Sequence, residues 1–199
     1  MVLECRKERF TPEGKAPVEY TSASVTTLNK ASWRYGRIEV RAKLPHGKGV
    51  WPAIWTLGTN IGEVGWPACG EIDIMEFVGK EPGNIYANAH YAQNNTHQSD
   101  GGKIETKHPS VDFHLYALEW HSDRLDFYFD DTKYHTVKLD GLGKDNDDPF
   151  RKPHYLLLNF ALGGSWGGPI DDTVLPQTYL IDYVRVYKAA DDTTARSRE

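Results

Sequence analysis

Three carboxylates fall within six residues, Glu71-Ile72-Asp73-Ile74-Met75-Glu76, in a run that is otherwise apolar. Alternate side chains of a β-strand share a face, so Glu71 and Asp73 point one way while Ile72 and Ile74 point into a core. Strict alternation would send Glu76 to the core face, where an unpartnered ionised carboxylate costs on the order of several kcal/mol or more. A one-residue bulge near Met75 resolves the conflict and returns Glu76 to the face of Glu71 and Asp73. Three acids in one row repel one another, which raises the proton affinity of at least one of them. A protonated acid beside an ionised one suits glycoside hydrolysis.

The elements that must position this row are strands. Arg37-Ile38-Glu39-Val40-Arg41-Ala42-Lys43-Leu44 alternates charged and apolar residues without a break and ends at the turn signal Pro45-His46-Gly47. Further strands are predicted over 19–27, 53–57, 71–78, 85–91, 113–121, 154–161 and 179–188. Segments 124–129 and 133–138 flank Asp130-Asp131-Thr132 and read as a hairpin. No convincing helix is found. Many short strands separated by Gly and Pro indicate an all-β fold, a β-sandwich or jelly roll. Residues 140–151 read as a polar surface loop and 189–199 as a frayed tail, so the 199 residues are expected to form one domain.

Composition narrows the partners. The aromatic share is 12%, with six Trp and eleven Tyr. Flat rings of this kind pack on the apolar face of a pyranose, although they also fill β-cores. The net charge of −5 comes without a basic cluster, which argues against nucleic acid, anionic membranes and heavily sulfated polymers as partners. Cys5 and Cys69 are too few for a disulfide framework and have no metal-ligand spacing, and two separate buried thiols are expected. No apolar run approaches the roughly 20 residues of a membrane span. The segment Met1-Val2-Leu3-Glu4-Cys5-Arg6-Lys7 does not resemble a signal peptide, because charges interrupt it at once.

Ordered blocks along the chain carry a resemblance. Tyr35-Gly36-Arg37-Ile38-Glu39-Val40-Arg41 leads to Gly49-Val50-Trp51-Pro52-Ala53-Ile54-Trp55, and then to Gly70-Glu71-Ile72-Asp73-Ile74-Met75-Glu76-Phe77. Ala89-His90-Tyr91, Tyr116-Ala117-Leu118-Glu119-Trp120, Leu158-Asn159, Gly163-Gly164-Ser165-Trp166 and Ile181-Asp182-Tyr183-Val184-Arg185-Val186-Tyr187 continue the pattern. Together they resemble family 16 of the glycoside hydrolases, and within it the bacterial laminarinases. The resemblance implies a concanavalin-like jelly roll whose concave sheet forms a cleft for a polysaccharide. It implies retaining endo-hydrolysis of β-1,3-glucosidic bonds in laminarin-type or mixed-linkage β-glucans, with no cofactor needed for catalysis, by a secreted protein that is extracellular or periplasmic. The bulge near Met75 separates this motif from the shorter Glu-x-Asp-x-Glu version of strict mixed-linkage enzymes and favours laminarin. A non-catalytic β-glucan-binding module and a transglycosylase on the same scaffold are the alternatives.

Carried over by position, Glu71 is the nucleophile, Glu76 the general acid/base, and Asp73 the auxiliary that shares hydrogen bonds or a proton with the nucleophile. Physical chemistry asks for the same order: the attacking carboxylate must be ionised and the acid must hold a proton. Trp66 is expected as a stacking platform at the cleft rim. Trp51 and Trp55 share a strand face, so both line the cleft or both pack inside, and the cleft is favoured for Trp51 more than for Trp55. His90 serves the sugar or the carboxylates, or is structural. Asn159, among leucines, is either a sugar-binding amide or a core amide satisfied by backbone. Trp166 offers a mobile ring in a Gly-rich loop, and Asn29 is a further substrate-binding candidate by analogy.

The resemblance also implies a structural calcium held by Asp182 and a carbonyl near Gly36, although calcium takes about six to eight oxygens and only these two are nameable. The family's first strands precede the segment that Val2-Leu3-Glu4-Cys5 matches. A sheet edge would then be left uncovered, and self-association through it is an expectation.

Overall fold

A computed structural model describes residues 1–107, 109–142 and 148–188. The strands are β1 (Val2–Phe10), β2 (Val18–Thr21), β3 (Ser24–Thr26), β4 (Gly36–Lys43), β5 (Val50–Gly58), β6 (Glu71–Glu76) and β7 (Asn84–Gln93), followed by β8 (Thr96–Glu105), β9 (His114–Trp120), β10 (Arg124–Phe129), β11 (Thr132–Lys138), β12 (His154–Leu162) and β13 (Gln177–Tyr187). They form two antiparallel sheets, a seven-stranded one in the order β11-β10-β9-β4-β13-β1-β2 and a six-stranded one in the order β3-β12-β5-β6-β7-β8. Among the described residues helix is confined to single turns such as α1 (Ile61–Val64) and α2 (Gly164–Gly167). Among the described residues no helix is long and apolar enough to cross a membrane.

The sheets meet through their alternating apolar faces. Ile38, Val40 and Ala42 of β4 and Tyr116, Leu118 and Trp120 of β9 are buried against Ile54, Ile72, Ile74, Ala87, Leu156 and Phe160 of the other sheet. The six-stranded sheet presents its other face to solvent, and β6 lies near its middle, between β5 and β7. Cys5 and Cys69 are both buried and unpaired, as expected.

Several sequence-based boundaries shift. The strand predicted over 19–27 is two strands, β2 in one sheet and β3 in the other, because the chain crosses between layers there. The strand predicted over 71–78 ends at Glu76. β1 is expected only through the resemblance, in which the segment opening at Val2 matches a strand, and β8 is not expected at all. β8, Thr-His-Gln-Ser-Asp-Gly-Gly-Lys-Ile-Glu, buries no residue fully, so it lacks the apolar alternation that marks a strand. It is tied to β7 by Asn94-Asn95, whose φ angles of 53° and 58° supply the left-handed turn that a tight hairpin requires. At Gly102 a Cβ would lie 2.5 Å from the His135 ring, so glycine lets the edge of one sheet close on β11 of the other. The 140–151 segment is not wholly a surface loop, since Asp148 and Phe150 are both 0% exposed. Asp148 accepts hydrogen bonds from Phe150 N and Arg151 Nε. Residues 143–147 and the predicted tail 189–199 lie outside the described residues.

The strands at the open edges include β2 and β3, of four and three residues. Short edges of this length offer little template for pairing.

Candidate active site

The bulge in β6 is present. On the β5 side Ile54 pairs with Met75 and Trp55 with Asp73, leaving Ile74 without an opposite residue. On the β7 side Asp73 pairs with Asn88 and Glu76 with Tyr86, again with one residue to spare. Ile74 and Met75, the two residues at the bulge, are both 0% exposed. The extra residue leaves Glu71, Asp73 and Glu76 together on the solvent face of the sheet. They line a cleft pocket of about 240 Å³ with Trp51, Ala53, Trp55, Asn159 and Ala161.

Each carboxylate has its own partner. Trp66 Nε1 donates to Glu71 Oε2 at 2.6 Å, and Trp51 Nε1 donates to Glu76 Oε1 at 3.0 Å. Trp55 Nε1 donates to Asn159 Oδ1 at 2.6 Å, so both lie on the cleft face and neither is a core residue. His90 Nε2 stands 3.3 Å from Asp73 Oδ2, although that oxygen has no aligned hydrogen bond. Trp166 packs edge-on against Trp51 at 5.4 Å and Tyr86 at 5.1 Å and walls the Glu76 side. Trp66 is 51% exposed, with a free ring surface besides its bond to Glu71.

Burial dominates the electrostatics. It lifts Glu76 from 4.5 to about 7, partly offset by the Trp51 hydrogen bond, with the Glu71 charge adding to the rise. Asp73 is driven well above the usual carboxylate range by burial, then by the charges of Glu76 and Glu71, and it hydrogen-bonds Glu71. The site thus favours its neutral form, and its hydrogen bond with Glu71 favours the ionised form of that neighbour. Burial raises Glu71 too, but hydrogen bonds from Asp73 and Trp66 pull it back. With two donors, Glu71 is the member best able to carry negative charge. His90 is pushed below its ordinary value by burial and by His97, so it is neutral at pH 7. The arrangement sets two carboxyl groups with different hydrogen-bond donors on one cleft face, the pairing from which a nucleophile and an acid can be made.

Other candidates fall elsewhere. Asn29, with φ of 60°, is exposed and lines a separate recess of about 440 Å³ with Thr59, Pro153 and Tyr155. Asp182 pairs with Arg41 at 2.8 Å and sits where β13 meets Arg41 and Ala42. Gly36 lies at the far end of β4, about 15–20 Å away at the rise of a strand. The two cannot share one ion, so the residues named for calcium do not fit it. Glu71, Asp73 and His90, and separately Glu119, His121 and Asp126, bring three ligand atoms within 4.8 Å of one another. In the second group Arg124, Lys133 and Thr136 already occupy Asp126. Sequence reasoning missed Tyr86 and His97, whose Nε2 lies 3.0 Å from His90 Nδ1. The Asn94-Asn95 pair was the available signal that a strand bearing His97 returns beside His90.

Comparison with known proteins agrees with this geometry. The model of glycosyl hydrolases family 16 matches residues 2–185. The chain is 40% identical over 198 residues to a beta-glucanase of Rhodothermus marinus, covering 94% of this chain and 68% of that protein. It is 39% identical over 181 residues to a glucan endo-1,3-beta-glucosidase of Cryptopygus antarcticus, covering 84% of this chain and 66% of that protein. The chain thus spans about two thirds of the length of these curated relatives. Among solved structures, the laminarinase catalytic domain from Thermotoga maritima MSB8 aligns with a TM-score of 0.86 at 44% identity, covering 96% of this chain and 78% of that one.

Proposed function

The chain belongs to family 16 of the glycosyl hydrolases, and from that premise we propose that it is a retaining endo-β-1,3-glucanase acting on laminarin-type or mixed-linkage β-glucans. In the first step Glu71 attacks the anomeric carbon, forming a carboxylate–C1 bond as the glycosidic C1–O bond breaks. Glu76 delivers its proton to the departing oxygen. In the second step Glu76, now ionised, takes a proton from water as the water oxygen bonds C1 and Glu71 leaves. Asp73 keeps its proton toward Glu71 and tempers the charge there. Trp55 and Asn159 form a hydrogen-bonded wall, and Trp51, Trp66 and Trp166 supply rings for pyranose faces. No metal or organic cofactor takes part in these steps. Because the substrate is a polymer, the extracellular or periplasmic space is where we propose that the enzyme meets it.

The observation that carries the reading is the bulge that sets Glu71 and Glu76 on one face with different indole donors. Reducing-sugar release from laminarin by the wild type, and its loss in Glu71→Gln and Glu76→Gln, is the expected result. Binding of laminarin without release by the wild type would instead make the protein a glucan-binding module. Products lengthened by added acceptor sugars would make it a transglycosylase.

A further inference from the structure

Beside the carboxylates, three rings pack together. His97 lies 4.8 Å from Trp66 and 5.2 Å from His90, centroid to centroid, and Trp66 is 6.1 Å from His90. Trp66 is the donor to Glu71, and His90 is the neighbour of Asp73. Exposed His97 on β8 therefore touches both arms that reach the nucleophile.

Hydrogen accounting along this row gives His97 a definite part. Asp73 Oδ2 is a buried carboxyl oxygen without an aligned donor, and buried acceptors require one. His90 Nε2, at 3.3 Å, is placed to supply it. A neutral imidazole has a single N–H. With that hydrogen on Nε2, His90 Nδ1 is a bare lone pair, and the hydrogen in the 3.0 Å contact must come from His97 Nε2. The reverse assignment would set the His90 Nε2 lone pair against a carboxylate oxygen.

We propose that His97 is a positioning residue: by donating to His90 it fixes the tautomer that closes on Asp73, and by packing on Trp66 it steadies the indole N–H that Glu71 accepts. This rests on the reading of Glu71 as the nucleophile. Nothing in it requires His97 to touch the sugar undergoing cleavage.

Kinetics and histidine ¹⁵N NMR of the wild type, His97→Ala and His97→Gln test it. In His97→Ala, kcat on laminarin is expected to fall about tenfold with KM within about twofold. Gln can donate an amide hydrogen to His90 Nδ1, so His97→Gln should recover to within about threefold of the wild type. The ¹⁵N shifts should report His90 as the Nε2–H tautomer in the wild type and His97→Gln, and a mixture in His97→Ala. An aryl β-laminaribioside with a 2,4-dinitrophenolate leaving group, which needs no proton from Glu76, should show the same loss, because the defect is on the nucleophile side. A wild type that cleaves laminarin alongside a His97→Ala variant of equal kcat overturns the proposal. So does a loss that Gln does not restore, or a wild-type His90 with its hydrogen on Nδ1. If the wild type cleaves no β-glucan, the proposed function fails instead, and the NMR measurement still decides the tautomer.

Discussion

Replacing Trp51 by Phe removes one hydrogen bond, from the indole N–H to Glu76 Oε1 at 3.0 Å, and leaves an aromatic ring against Trp166. Hydrogen bonds to a charged group are worth about 1.5–3 kcal/mol. This one lowers the Glu76 pKa by favouring its ionised form, against the burial that raises it to about 7. Its loss penalises the carboxylate and not the acid. At about 1.4 kcal/mol per pH unit, the pKa should rise by about one to two units. Glu76 reaches the cleft, where water replaces part of the lost donor, so about one unit is expected. The alkaline limb of kcat/KM reports the essential acid of the free enzyme, and the three carboxyls titrate as a set. Only Glu76 loses a donor, however, so the direction is fixed. Initial rates of reducing-sugar release at low laminarin concentration, from pH 5 to 9, should place the limb of Trp51→Phe above that of the wild type. Activity at pH 8 relative to pH 6 should therefore rise even if the absolute rate drops. A limb that stays in place, or moves to lower pH, would refute the assignment of Glu76 as the acid tuned by Trp51.

The same buried acid limits stability. Its folded pKa is raised, so its contribution is fully present below about 4.5 and is lost as pH rises through about 7. Glu76→Gln should leave Tm unchanged at pH 4 and raise it at pH 8, by at most about 3 kcal/mol or roughly 6–12 °C, measurable by calorimetry at both pH values. Glu71→Ala should lower kcat on laminarin about a thousandfold or more. Added azide should then yield an α-glycosyl azide, detectable by NMR, whereas a β product would speak against attack by Glu71. Deleting Met75 gives regular pleating with all three acids still on the cleft face, so laminarin hydrolysis should survive at a reduced rate. Its stability should fall by about 2–5 kcal/mol for the lost buried side chain. The rate ratio of mixed-linkage glucan to laminarin should increase, and an unchanged ratio would separate the bulge from specificity.

The legible parts of this protein are those where physical penalties are large. An ionised Glu76 in the core is so unfavourable that the bulge follows from six residues of sequence, and β4 follows from unbroken alternation. β8 was not legible, because a polar edge strand with two glycines pays little penalty for being anywhere. His97 went unrecognised with it. The break of 19–27 into two strands depends on the sheets crossing, which no local pattern encodes. Gly36 and Asp182 looked like partners because each sits in a recognisable block. Antiparallel register places Gly36 opposite Trp120 and next to the Arg37–Tyr187 pair instead, at the other end of the strands. Trp51 and Trp55 could not be placed by periodicity alone. Their indole N–H groups decide the matter, since each finds a polar acceptor on the cleft face.

The bulge joins the core and the row of acids into one device. Ile74 and Met75 both face inward, so the core gains an extra side chain at the point where the cleft gains Glu76. Burial of those two residues holds the strand in its bulged register, because sliding by one position would exchange Met75 for a carboxylate in the core. Apolar packing therefore enforces a row of acids that repel each other and are desolvated. The cost falls on stability at high pH, where Glu76 must ionise in a site suited to its protonated form. Substitutions that relieve this cost by neutralising the row should stabilise the fold and abolish turnover together. Substitutions that weaken the packing of Ile74 or Met75 should damage both. The sign of the stability change thus separates a residue that uses the strained site from one that maintains it.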